Sequence, residues 1–440
     1  MRVQIANKTM FNNALSSLFP QLLLSEVNGF TIDSRLVESG DIYLPIKGEN
    51  VDGHDFISQA ISSGASLIFS EQSSTETIIE VVYVESTLTA LKELAMAYGN
   101  QIKCPIIGIT GSNGKTTVKE LLSHVLSAHK KTICTTGNYN STIGLPISLF
   151  TVNGDEDFCI LEMGASEPKE IAELCRIAKP TMGLITNIAA AHTKNFGSVE
   201  NVAKTKSDLF TSLPHDGTAF INIDDAYIST FTTNANRITY GFNSEADFHG
   251  EYTNGSLKIN DFEISLSYPS EIMAKNVLAI FSIASSIGIL PNEIGVRINT
   301  FEVPTGRSTV IIHNGITIID DTYNANLESA KAGIDTLSHY DGNKKIAVIG
   351  DMFELGELAQ DHHRELGEYI SNSNIDVLLA TGQLTQFTVD AAHKVDATFY
   401  QNKDELINTL IKIASSGDVI YIKGSRGMKM ETIIEKGLII

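Results

Sequence analysis

The sequence is short of positive charge, short of cysteine and without a long apolar run. Its 32 Lys and Arg stand against 52 Asp and Glu, a net charge of −20 (32 − 52) over 440 residues. A surface this acidic repels phosphate polymers and anionic lipid heads, which argues against general nucleic-acid or membrane-surface binding. Any phosphate-bearing ligand must then be held by a local device that outweighs the global field. Cys104, Cys134, Cys159 and Cys175 are the only cysteines and form no CxxC pair. Cys134 and Cys159 fall in strand-like apolar runs, so buried free thiols in a reducing compartment are expected. The first residues lack a sustained apolar segment, so no signal peptide is expected. The longest uncharged apolar stretch, Val277–Leu290, is broken by serines and Gly288. It is too short for a membrane span and reads as a buried helix. A soluble, cytoplasmic chain with no nucleic-acid partner and no membrane insertion is the expectation.

What the chain does have is 42% hydrophobic residues, enough to fill sizeable cores and to exclude a wholly disordered acidic polymer. Its length suggests two to four domains, at roughly 100–200 residues each. Residues 1–84 are mixed, with β-like Asp41–Ile46 and Ser66–Phe69 around a helix-like Phe56–Ser63. From about residue 105, strands alternate with helices, as in a parallel sheet. The runs Ile106–Thr110, Phe158–Leu161, Gly183–Thr186 and Ala219–Asn222 each end at a polar or acidic cluster. A second alternating region starts near residue 316, with strands expected at Thr317–Ile319, Ile346–Ile349, Val377–Ala380 and Val419–Ile422. Pro304 and Gly306 make Glu302–Arg307 a suitable linker. The expected fold class is α/β in three units: 1–84, a small mixed domain; 85–305, a central parallel-sheet, ATPase-like domain; and 306–440, a Rossmann-like domain.

The sharpest local signal is Ile106-Ile-Gly-Ile-Thr-Gly-Ser-Asn-Gly-Lys-Thr-Thr117. An apolar strand runs through a Gly-rich turn into a helix whose Val118, Leu121, Leu122, Val125 and Leu126 share one face. Gly111 and Gly114 let backbone N–H groups approach phosphate oxygens, and the helix N-terminus adds partial positive charge. Lys115 would neutralise the outer phosphates, and Thr116 would offer a hydroxyl to Mg²⁺. The turn departs from G-x-x-x-x-G-K-[ST], because Ile109 stands where the first glycine belongs. An ATP site is nevertheless favoured.

Glu162 ends the run Phe158–Leu161 and suits Mg²⁺, although a solvated strand-end carboxylate has the same signature. His192 follows the next strand, and a lone histidine is more often structural than a ligand. Lys206 shares a helical stripe with Val202 and Phe210. A lysine facing a core needs a partner, a shifted pKa or a chemical modification, unless it snorkels to solvent.

In that order, Thr110–Thr117, Gly137-Asn-Tyr-Asn-Ser-Thr-Ile-Gly-Leu-Pro146, Glu162-Met-Gly164, Thr186-Asn-Ile-Ala-Ala-Ala-His192 and Lys206 resemble the Mur ligases, the ATP-dependent amide-bond ligases of peptidoglycan precursor synthesis. The resemblance spans nearly the whole chain. Asp320-Asp-Thr-Tyr-Asn-Ala-Asn326, Gly350-Asp-Met-Phe-Glu-Leu-Gly-Glu357 and Lys423-Gly-Ser-Arg-Gly427 resemble one branch of that family. That branch joins D-alanyl-D-alanine to UDP-N-acetylmuramoyl-tripeptide through an acyl phosphate. The resemblance implies that Gly111, Ser112, Asn113, Gly114, Lys115, Thr116 and Thr117 hold ATP, with Asn276, Arg307, Asp321, Tyr323 and Asn324 completing the nucleotide site. It implies Mg²⁺ on Thr116 and Glu162, with His192 and a carbamylated Lys206 at a second ion. Ser34, Arg35, His54, Asn138, Asn140, Asp351 and Arg426 are the implied substrate contacts, in a monomer. Ser141, Ile272 and Lys169 depart from the family's Asn, His and Gly.

Overall fold

A computed structural model describes residues 1–22, 27–48, 50–73, 78–190, 193–266 and 270–439. Three sheets form in chain order. The first holds β1 (Arg2–Gln4), β2 (Gly29–Thr31), β3 (Ile42–Tyr43), β4 (Leu67–Ser70) and β5 (Glu80–Tyr83), paired in that order. Only the β1–β2 pair is antiparallel.

The second sheet comprises β6 (Ile106–Thr110), β7 (Thr132–Cys134), β8 (Phe158–Glu162), β9 (Met182–Ile185), β10 (Thr218–Asn222), β11 (Asn236–Gly241), β12 (Phe248–Thr253), β13 (Ser256–Ile259) and β14 (Phe262–Ser265). Their order is β14-β13-β12-β11-β10-β9-β6-β8-β7. From β7 to β12 the pairs are parallel, but β12, β13 and β14 form an antiparallel meander. The sheet is therefore mixed rather than purely parallel. Sheet order runs away from β6 in both directions, which opens a crevice at the carboxyl ends of the strands.

Every residue of β6 is buried, because helices cover both faces of the sheet. Ile107 and Ile109 pack with Ile160, Leu184 and the apolar faces of helices Lys115–Leu126 and Glu271–Ser286. Ile106, Cys159, Leu161 and Ile185 face the other way, onto Ile147, Ile171, Val202 and Phe210. The same cluster continues through Leu91 and Tyr98 of helix Thr87–Gly99 to Phe11, Phe30 and Phe69 of the first unit. Asn7 ties the two units further by donating from Nδ2 to the Asn153 carbonyl at 2.6 Å.

The third sheet holds β15 (Thr309–His313), β16 (Ile316–Asp321), β17 (Lys345–Gly350), β18 (Val377–Thr381), β19 (Asp396–Tyr400) and β20 (Val419–Lys423), in the order β15-β16-β20-β17-β18-β19. Only β15 runs antiparallel to its neighbour. All four cysteines are free; Cys159 and Cys175 are buried, while Cys104 and Cys134 are half-buried. Among the described residues, no helix is long and apolar enough to cross a membrane, and Val277–Leu290 lies largely in the buried helix Glu271–Ser286.

Candidate active site

The turn after β6 adopts a shape that only glycine takes without strain. Gly111 has φ +147 and Gly114 has φ +79, and a Cβ on Gly111 would stand 1.9 Å from Thr186 Oγ1. The end of β9 clamps the turn. Thr186 Oγ1 and Asn187 Nδ2 donate to the Asn113 carbonyl at 2.6 and 3.1 Å, and Asn187 Oδ1 accepts from Asn113 N at 3.0 Å. Helix Lys115–Leu126 then starts from Gly114 with no side-chain cap. Its first-turn N–H groups are left for an anion. Lys115 Nζ donates to the Gly111 and Ser112 carbonyls at 2.8 and 3.3 Å. Burial lowers the Lys115 pKa, opposed by Glu162 and reinforced by Arg307.

Glu162, 2% exposed, closes β8 beside this turn. Its Oε2 accepts from Thr116 Oγ1 at 2.8 Å and its Oε1 from Asn140 Nδ2 at 2.7 Å. Each carboxylate oxygen thus has a donor that fixes its direction. Thr116 and Glu162 present hard oxygen atoms side by side, a donor set that suits Mg²⁺. No cluster of three or more His, Cys, Asp and Glu stands ready to hold a metal among the described residues. Phosphate oxygens would complete such a shell, as is usual for Mg²⁺.

Lys206 is 3% exposed on helix Val199–Thr211, with Val202 and Phe210 buried on the same stripe. Burial, followed by the nearby Lys115, lowers its pKa well below the usual lysine value. It faces the cavity that Lys115 and Glu162 also line, so snorkelling to open solvent does not describe it. His192 lies outside the described residues.

The third unit supplies the opposite wall. Gly306, at φ +78, lets the chain turn so that Arg307 lies over the Tyr323 ring, 3.9 Å from its centroid. Arg307 also donates to Thr116 Oγ1 at 2.9 Å. Asp321 accepts from Lys423 at 2.5 Å, and Lys423 donates to the Asn324 carbonyl at 2.9 Å. Asn326 Nδ2 reaches Asn113 Oδ1 in the phosphate turn at 2.7 Å. A second seam joins Lys194 N to the Glu354 carbonyl at 3.1 Å and Thr193 Oγ1 to the Leu355 carbonyl at 3.2 Å. Between the two units lies a cavity of about 760 Å³.

Most of the expected residues line this one cavity. They are the turn Gly111–Thr117, Asn138, Asn140, Glu162, Lys206, Asn276, Arg307, Asp321, Tyr323, Asn324 and Arg426. Ser34, Arg35, His54 and Asp351 do not line it. Ser34 donates to Gln59, Arg35 pairs with Asp33, and both His54 ring nitrogens are engaged, by Asp52 and by Glu71 N. Asp351 is buried and accepts from the backbone N–H groups of Gln383, Leu384 and Thr385. Its carboxylate is occupied in holding a neighbouring turn. Asn187 and Asn326 bear directly on the phosphate turn and were not singled out from sequence. They lie in the motifs Thr186–His192 and Asp320–Asn326, but nothing in the sequence shows which asparagine of a motif bridges to another strand. Of the departures, Ser141 Oγ accepts from Gly144 N at 3.1 Å, Ile272 lines the cavity, and Lys169 takes φ 70.

A strand-end phosphate turn, a buried acid beside it and a cavity shared with a Rossmann-like unit define a nucleotide-dependent ligase architecture. Three family models match in sequence order: the Mur ligase family catalytic domain at 26–107, the Mur ligase middle domain at 109–284, and the Mur ligase glutamate ligase domain at 306–426. The chain belongs to the Mur ligase family. It is 34% identical over 433 residues to the UDP-N-acetylmuramoyl-tripeptide–D-alanyl-D-alanine ligase of Bacillus subtilis, covering 94% of each chain. The enzyme of the same name from Escherichia coli is 30% identical over 424 residues, with 93% of each chain covered. Among solved structures, MurF from Acinetobacter baumannii superposes with a TM-score of 0.88 at 27% identity, covering 98% of both chains. MurF ligase from Thermotoga maritima in complex with ADP gives 0.83 at 29% identity, covering 92% of this chain and 96% of that one.

Proposed function

We propose that this chain joins D-alanyl-D-alanine to UDP-N-acetylmuramoyl-tripeptide at the expense of ATP, making a peptidoglycan precursor in the cytoplasm. The observation that carries the reading is the single cavity in which the phosphate turn, Glu162 and Lys206 face Arg307, Asp321 and Arg426. The tripeptide carboxylate is a poor acyl donor, so its oxygen first takes the γ-phosphoryl group and ADP is released. The dipeptide amine then attacks the acyl carbon, the C–O bond to phosphate breaks, and the amine loses its proton. Both steps depend on alignment and on charge stabilisation.

The residues divide that work. The Gly111–Thr117 amides and Lys115 hold the β- and γ-phosphates, and Lys115 leaves its carbonyl partners to do so. Asn276, Arg307, Asp321, Tyr323 and Asn324 hold the rest of the nucleotide. Thr116 and Glu162 would hold Mg²⁺, and Glu162, His192 and a carbamylated Lys206 would hold a second ion. Bound Mg²⁺ supplies charge neutralisation at the transferring phosphoryl group. Carbamylation would supply an anion where an unmodified lysine offers none, as a place beside metal requires. Asn138 and Asn140 face the acyl substrate, while Ser34, Arg35 and His54 bind the UDP moiety on the first unit. Arg426 seats the dipeptide, and Asp351 contributes by fixing the turn at 383–385 rather than by contact. The units 1–84, 85–305 and 306–440 thus bind UDP-substrate, ATP and dipeptide, with a hinge near Gly306 that excludes water from the acyl phosphate. The chain works as a monomer.

The test is phosphate release from ATP with UDP-N-acetylmuramoyl-tripeptide and D-alanyl-D-alanine, each omitted in turn. Release requires all three substrates; release without either acyl partner would contradict the reading.

A further inference from the structure

Helix Leu327–His339 carries a glycine at position 333, well inside it, where glycine costs about 1 kcal/mol relative to alanine. The structure gives a reason. A Cβ at Gly333 would stand 1.8 Å from the Tyr421 hydroxyl and 2.0 Å from its Cζ. The Tyr421 phenol, projecting from the middle of β20, occupies the notch that the missing side chain leaves. It is 0% exposed, and a buried phenolic hydroxyl needs an acceptor.

That acceptor is Asp321 Oδ2, at 2.9 Å. Lys423 lies two residues further along β20, on the same side of the strand, and donates to the same oxygen at 2.5 Å. Both contacts gather on Oδ2, and no described residue donates to Oδ1. Asp321 lines the shared cavity, while Tyr421 does not. Burial, together with Asp321, raises the Tyr421 pKa far above the ordinary phenol value, so the hydroxyl remains the donor.

We propose that Tyr421, seated in the notch at Gly333, is a positioning residue that fixes the Asp321 rotamer and turns Oδ1 toward the hydroxyl-bearing end of a nucleotide. This rests on the reading that the cavity takes ATP. Lys423, buried and held also by the Asn324 carbonyl, gives Oδ2 one direction only, since its ammonium acts as a point charge. The rigid phenol, held by the helix on one side, supplies the second direction.

The test is Tyr421→Phe, which keeps the buried ring and deletes only the hydroxyl. Steady-state phosphate release is measured with ATP and with 2′,3′-dideoxy-ATP, which lacks both ribose hydroxyls. The wild type should prefer ATP. In Tyr421→Phe the KM for ATP should rise about 3–10-fold, the worth of one hydrogen bond read as affinity. The loss should fall on KM rather than kcat, and the preference over the dideoxy nucleotide should collapse towards unity. A purely structural role would lower the melting temperature but preserve the preference. The paired change Gly333→Ala with Tyr421→Leu refills the notch without a hydroxyl and should give the same collapse. Full retention of the preference in either variant overturns the proposal. Absence of ATP turnover in the wild type would instead overturn the ATP reading beneath it.

Discussion

Lys119 Nζ, on a side chain with no exposed surface, donates to the Thr135 carbonyl at 2.6 Å and to the Gly137 carbonyl at 3.3 Å. One turn beyond Lys115, it ties the phosphate-turn helix to the loop that carries Asn138 and Asn140. Thr135 passes the restraint on, because its Oγ1 accepts from Glu162 N at 2.8 Å. Lys119→Met keeps the length of the stem but leaves two carbonyls without their donor. The expected cost is about 1–3 kcal/mol in urea unfolding. An unchanged midpoint would mean that the loop finds other donors.

His363 accounts for part of the pH dependence of stability. It is wholly buried, with Nδ1 on the Ala359 carbonyl at 2.6 Å and Nε2 accepting from Met352 N at 3.1 Å. Burial lowers its pKa below 6.5, against the opposing influence of the Ala359 carbonyl and of Asp351. Between the unfolded and folded values the unfolded chain therefore binds more protons. The contribution is complete above the unfolded pKa and is lost as pH falls through the folded one. Melting temperature should drop from pH 7.5 to pH 5, and His363→Gln, which can still accept from Met352 N, should drop less. His124 and His362 are also shifted down, but they are common to both proteins and cancel in the comparison. Equal slopes would rule His363 out.

Lys169 begins helix Glu170–Ala178 at φ 70, a left-handed conformation that costs a residue with a Cβ roughly 1–2 kcal/mol. Lysine stands here where the family has glycine, the residue that takes this conformation without strain. Lys169→Gly should stabilise the protein by about 1 kcal/mol, after the extra unfolded-state entropy of glycine is offset. The urea midpoint should rise at constant m-value. A fall would show that Lys169 makes contacts worth more than the strain.

What was legible in the sequence was the apolar interior. Buried parallel strands are continuous apolar runs, so β6, β8, β10, β17, β18 and β20 lie within a residue or two of expectation. The meander β12–β14 was missed because its strands are half exposed and charged, although Asn254-Gly255 has the positive φ pair of a tight hairpin. For the site, the Gly111–Thr117 turn, Glu162 and Lys206 could be read from strand ends and one helical stripe. Asn187, Asn326 and Tyr421 could not, since their importance lies in partners 74, 213 and 100 residues away.

Asn326 serves two structures at once. Its Oδ1 accepts from Ser329 N at 2.9 Å, capping helix Leu327–His339, while its Nδ2 donates to Asn113 across the cavity. Asn326→Asp separates the two functions. The cap acceptor survives, but the donor is replaced by a negative charge facing the phosphate turn. Stability should hold within roughly 0.5 kcal/mol, while the KM for ATP rises on the order of 10-fold. An unchanged KM would show that this bridge does not bear on nucleotide binding.

Lys206 is the most exacting test of the chemistry. As a free amine or an ammonium beside Mg²⁺ it offers no anionic ligand, yet it is buried against the same cavity as Glu162. Under the proposed mechanism, carbon dioxide addition to the neutral amine, with loss of one proton, would give a carbamate, an anion at the place of the side-chain nitrogen. Lys206→Ala should therefore lower turnover on the order of 10²–10³-fold. Acetate or propionate, small enough to occupy the vacated stem, should partly restore it, whereas chloride at equal ionic strength should not. Rescue by carboxylates and not by amines such as propylamine identifies the missing group as an anion. The reverse order would mean that Lys206 acts as a cation, and no loss on substitution would remove it from the mechanism.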